Sequence, residues 1–109
     1  MGEIISLLAK SNYIILNKQL INKLGIKEAM VLSELCNEFD YWKEQDKLDD
    51  GYFYSTQENI KRNINIKSTT LTSIIRSLEK KNLIQIKRVG LPCKNYYKIN
   101  EKELVNLLK

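Results

Sequence analysis

The stretch from Ser55 to Ile84 constrains the fold more than any other part of the chain. Ser55 and Thr56 are natural helix starts, because a short side-chain oxygen can accept from an otherwise unpaired amide of the first turn. Glu58 follows in that first turn, where the helix dipole favours an acid. The helix is expected to end near Arg62 or Asn63. A tight turn through Ile64, Asn65 and Ile66 then needs a positive φ, which asparagine tolerates best after glycine. A second helix is expected from Ser68 or Thr69, with Leu71, Ile74, Ile75 and Leu78 at helical spacing. It closes at Asn82, again a place for the left-handed conformation.

The flanking segments extend this pattern. Leu83 to Val89 alternates as a strand, Gly90-Leu91-Pro92 turns, and Asn95 to Ile99 returns, which predicts a β-hairpin. Ile84, Ile86, Tyr97 and Ile99 share one face of it, and Gln85, Lys87, Tyr96 and Lys98 the other. Tyr52-Phe53-Tyr54 reads as a short strand after a polar loop over 43–51. Upstream, a helix from about Lys27 to Trp42 places Ala29, Leu32, Leu35, Cys36 and Phe39 in one stripe. Glu28, Glu34 and Glu38 lie off that stripe and are expected to be solvated. Asn17 caps a helix of about two turns carrying Leu20, Ile21 and Leu24, which stops at Gly25. Residues 3–10 and 101–109 read as short amphipathic helices, and Tyr13 to Leu16 as a brief β-prone run. The expected architecture is mainly α with a small antiparallel β-sheet, in a single domain over 1–109.

Composition narrows the chemistry. The chain has no histidine, which removes the commonest general base, the usual metal ligand and every Ser-His or Cys-His nucleophile arrangement. Cys36 and Cys93 are far apart and support neither a zinc site nor a disulfide framework. The four glycines are scattered, so there is no phosphate-cradling loop. A binding module with no cofactor and no metal is expected, not an enzyme. No apolar run approaches the roughly 20 residues that span a bilayer. No targeting signal stands out, so a cytoplasmic bacterial protein with no membrane partner is expected.

Net charge is +5, but Lys, Asn and Ile make up 40 of 109 residues, a bias that an A·T-rich genome produces without any functional cause. The distribution of charge says more. From Glu28 to Asp50 there are eight acids and two lysines, a balance of −6. From Lys61 to Lys98 there are ten basic residues and one acid, Glu79, a balance of +9. Codon bias would not clear acids from 38 consecutive residues, and such sorting makes one face that seeks anions.

Strand, helix, turn, helix and hairpin, in that order, resemble the winged helix-turn-helix family of DNA-binding domains. The resemblance rests on Ser55-Thr56-Gln57-Glu58, Ile60, Lys61-Arg62, Ile66, Ser68-Thr69-Thr70-Leu71, Ile74-Ile75 and the run Leu78 to Ile84. It covers Tyr52 to Ile99, and departs from the family at Asn65 and Asn82, where glycine is usual. The wider layout is similar to the N-terminal modules of phage and plasmid replication initiators, and to small accessory proteins that mark origins on clostridial conjugative plasmids. The resemblance implies a double-stranded DNA partner bound at an origin of transfer or replication, and an arginine at the wing tip suits an A·T-rich site under the wing. It also implies contact with other replication or transfer proteins. The terminal amphipathic segments 3–10 and 101–109 either pad the domain's own core or pair two protomers, and a homodimer over two half-sites is expected. A transcriptional repressor of the same fold has the same DNA contacts, and a protein-docking adaptor is the reading from another class.

On this reading the outward face of the second helix is Thr69, Ser73, Arg76 and Lys80, flanked by Ser68, Thr72 and Ser77. Lys61, Arg62 and Lys67 suit phosphates. Lys87, Arg88, Lys94, Asn95 and Lys98 are expected around the wing tip, with Arg88 suited to a narrow minor groove. The wing is expected to carry a large share of affinity, and the acidic helix to face away from DNA. Cys93 is expected to be a bystander thiol of the tip.

Overall fold

The computed structural model describes residues 14–92 and 94–109. The helix expected over 3–10, Tyr13 and Cys93 lie outside the described residues. Among the described residues five helices and three strands follow in order: α1 (Lys18–Leu24), α2 (Ile26–Glu44), β1 (Phe53–Tyr54), α3 (Gln57–Ile64), α4 (Ser68–Lys80), β2 (Ile84–Val89), β3 (Lys94–Ile99) and α5 (Glu101–Leu108). The class is mainly helical α+β, compatible with a winged helix.

Local chemistry sets the ends of these elements. Asn17 Oδ1 accepts from the Leu20 amide at 3.1 Å to start α1, and Gly25 at φ +87° separates α1 from α2. Thr56 Oγ1 accepts from the Asn59 amide at 3.0 Å to start α3. Asn65 stops α3 in the left-handed conformation at φ +50°. Asn82, at φ +64°, lets the chain leave α4 for β2. Asn100 caps α5 through the Glu103 amide at 3.3 Å.

The sheet is antiparallel with strand order β1-β3-β2. Its register pairs Ile84 with Ile99, Ile86 with Tyr97, and Tyr97 in turn with Phe53. One face therefore gathers Phe53, Ile84, Tyr97 and Ile99, all buried, against α2 and α4. Phe53 bridges the layers, its ring 6.0 Å from Tyr97 and 6.3 Å from Phe39 on α2. Helix α2 packs on α1, α3, α4, β1 and β3, so it is the central support. Its Ala29, Val31, Leu32 and Leu35 are fully buried with Ile60 of α3 and Leu71 and Leu78 of α4. On α5, Leu104, Leu107 and Leu108 pack against this same core, and the helix rests on α1.

Two expectations need correction. Residues 14–16 form no strand, because no described strand runs beside them to pair with. Glu28, Glu34 and Glu38 of α2 are not left to solvent. Glu34 is buried, at 6% exposure, and Glu28 and Glu38 are engaged by neighbouring elements.

Candidate nucleic-acid interface

Helix α4 has two faces of opposite chemistry. Leu71, Ile74, Ile75 and Leu78 are buried. Thr69, Ser73, Arg76 and Lys80 line the other side and are exposed, as successive steps of three and four residues require on a helix. A shallow groove of about 370 Å³ runs along Ser68, Thr69, Thr72, Ser73 and Arg76. Thr72 is turned inward relative to the rest, its hydroxyl 3.5 Å from Gln57 Oε1, so it ties α4 to α3. No side chain caps the start of α4 and no acid lies in its first turn. Its positive dipole end is thus left uncompensated.

The carboxylates of α2 hold both helices of the pair, α4 through Glu28 and α3 through Glu34 and Glu38. Glu28 Oε1 accepts from Ser77 Oγ at 3.2 Å and from Lys81 Nζ at 2.8 Å, which holds the C-terminal end of α4. Glu34 Oε2 accepts from Asn63 Nδ2 at 3.0 Å. Glu38 Oε1 accepts from Ser55 Oγ and, at 3.4 Å, from Asn59 Nδ2. Acids one turn apart on α2 therefore meet Asn59 and Asn63, one turn apart on α3, and Ser55, just before the cap of that helix. A cavity of about 730 Å³ lies beside them, lined also by Ile14, Tyr41, Trp42 and Arg62. Sequence reasoning missed these residues. The complementary i, i+4 spacing of acids and amides was the signal that could have found them.

Burial pushes the Glu38 carboxyl up from 4.5 to about 7, with Glu34 adding to the rise and the bonds from Ser55 and Asn59 opposing it. Folding thus favours protonated Glu38. Its contribution is complete below the unfolded value of 4.5 and is lost as pH rises through about 7. The loss is on the order of 2–3 kcal/mol. Glu38→Gln is expected to flatten the fall in stability between about pH 5 and about pH 8, measured as urea midpoints of both proteins. An identical pH slope in the two would refute this assignment. Cys36, among apolar neighbours on α2, is pushed up to about 11 by burial, with Glu101 adding to the rise, and is an unreactive thiol at neutral pH.

The expected basic residues divide into two groups. Arg62, Lys67, Arg76, Lys80, Lys87 and Lys94 are exposed and form no ion pair among the described residues. Lys61 pairs with Glu58 at 3.2 Å, and Arg88 with Glu79 at 3.6 Å. Arg88 lies opposite Asn95, one rung below the Val89–Lys94 pair that ends the hairpin, and its guanidinium is directed to α4. Lys98 is not at the tip. It pairs with Gln85 in the register and its chain lies against Gly51. Leu91, fully exposed, occupies the turn itself.

Among the described residues no group of three or more His, Cys, Asp or Glu side chains is placed to hold a metal ion, and no described helix is long and apolar enough to cross a membrane. No family model matches the sequence, and no curated protein matches it. A solved structure described as the N-terminal domain of a DNA binding protein superposes with a TM-score of 0.66 at 20% identity. The match covers 98% of this chain and 88% of that one. At that identity the likeness shows a shared fold.

Proposed function

We propose that this chain is a site-specific double-stranded DNA-binding module of the winged helix-turn-helix kind. Helix α4 enters the major groove and the β2–β3 hairpin acts as the wing. The observation that carries this reading is the exposed row Thr69, Ser73, Arg76 and Lys80 on a helix whose opposite face is locked into the core. Such a helix presents donors and acceptors to base edges from a rigid support. The shared fold with a domain of a DNA binding protein supports it. We assign the bound site to an origin of replication or transfer on a plasmid or phage, and two copies to each site. Val105 on α5 and Ile26, both more than half exposed, are apolar surface available for pairing. Isolating bound fragments from the parent DNA and mapping them tests the assignment. Recovery upstream of regulated genes alone would replace the origin with an operator.

Arg76 is the principal base reader on this geometry, because Arg88 is shared with Glu79. Arg76→Ala is expected to cost about 1–3 kcal/mol on the true site and to relax discrimination there. Arg88→Ala should cost less. Titration of both variants on the target and on a scrambled duplex decides. A silent Arg76→Ala beside a damaging Arg88→Ala would move recognition to the wing.

A further inference from the structure

The outward face of the sheet carries chemistry that a duplex-reading α4 does not use. Alternation along β1 and β3 turns Phe53 and Tyr97 into the core, so Tyr54 and Tyr96, paired in the register, point the other way. Their rings lie 5.6 Å apart at 52°. Among the described residues no helix packs on this side, since the sheet meets only α2 and α4 through its inner face. Three lysines lie over its tyrosines. Lys87 Nζ and Lys98 Nζ stand 5.2 and 5.6 Å from the centre of the Tyr52 ring, and Lys94 Nζ stands 5.9 Å from that of Tyr54. None of the three forms an ion pair among the described residues. Two ammonium groups converging on one ring repel each other, and the ring's quadrupole offsets this only in part. An anion on this face offsets their charge.

We propose that this face binds single-stranded DNA, with phosphates on the lysines and unstacked bases on Tyr54 and Tyr96. The lysines alone would suit the phosphates of either a duplex or a single strand. The tyrosines distinguish the two, because a duplex keeps its base faces stacked internally and only a single strand can offer them to an aromatic ring. Three strands span about 10 Å, room for two or three nucleotides. The face extends the proposed duplex reading to a place where the strands are parted, and it can be tested apart from that reading.

The experiment titrates a fluorescein-labelled oligothymidylate of about 12 nucleotides, and separately the target duplex, into four proteins. These are wild type, the pair Tyr54→Leu/Tyr96→Leu, the pair Tyr54→Phe/Tyr96→Phe, and Arg76→Ala. The Leu pair is expected to lose roughly tenfold or more in affinity for the oligonucleotide, with duplex affinity unchanged. The Phe pair keeps the ring faces and should match wild type on both, which separates loss of stacking from misfolding. Arg76→Ala should weaken the duplex alone. Tyrosine-dependent oligonucleotide binding without duplex binding would sink the duplex reading and leave this inference standing. No oligonucleotide binding by wild type, undiminished binding by the Leu pair, or parallel loss of single strand and duplex in that pair would each overturn it.

Discussion

Raising monovalent salt from about 50 to about 200 mM is expected to weaken duplex binding by roughly 500-fold. The exposed basic groups Arg62, Lys67, Lys80, Lys87 and Lys94 are free of ion pairs among the described residues, so each keeps its full charge for a phosphate, while Arg76 is assigned to a base edge. Each phosphate neutralised releases counterions and contributes a slope of about −0.9 to log affinity against log salt. About five contacts therefore give a slope near −4.5. The paired cations, Lys61, Lys81 and Arg88, should add little, and replacing Lys61 by Ala should leave the slope nearly unchanged. Anisotropy titrations at four or five salt concentrations measure it. Binding that ignores salt would put the protein-docking adaptor ahead of the DNA reading.

Leu71→Ala should destabilise the protein by about 2–5 kcal/mol, a large share of the roughly 5–15 kcal/mol that holds a domain together. Leu71 sits in the first turn of α4, fully buried in the core that also takes Ile60 of α3 and Leu32 and Leu35 of α2. Truncation leaves a cavity where three helices meet, and such a junction collapses poorly. Leu71→Met, which conserves volume, should cost less than about 1.5 kcal/mol. Thr69→Ala, two residues away but exposed, should stay within about 0.5 kcal/mol of wild type. Urea unfolding of the three variants checks the order, and equal effects from Leu71→Ala and Thr69→Ala would contradict the assigned faces of α4.

Much of this fold is legible in the sequence because its signals are local. Asn65 and Asn82 mark the ends of α3 and α4, and both have positive φ. The buried stripe Leu71, Ile74, Ile75 and Leu78 follows from helical spacing. The pairing of Ile84 with Ile99 and Ile86 with Tyr97 follows from alternation. What is illegible is non-local. Hydropathy treats Glu34 and Glu38 as surface residues, since it cannot see that Asn63, Asn59 and Ser55 arrive opposite them. The same limit hides the partner of Arg88, because Glu79 reaches it only once α4 is laid beside β2. The Tyr52 ring under Lys87 and Lys98 becomes visible only when β1 joins the far edge of β3.

The division of α4 into a locked face and an open one separates two kinds of inheritance. Stability is written in Leu71, Ile74, Ile75 and Leu78, and in the grip of Glu28 on Ser77 and Lys81. The outward residues Thr69, Ser73, Arg76 and Lys80 take no part in either. Exposed substitutions of this kind usually shift folding by no more than about 0.5 kcal/mol. Drift along that row can therefore re-address the helix to a different ligand while the scaffold stays as it is, one side chain at a time.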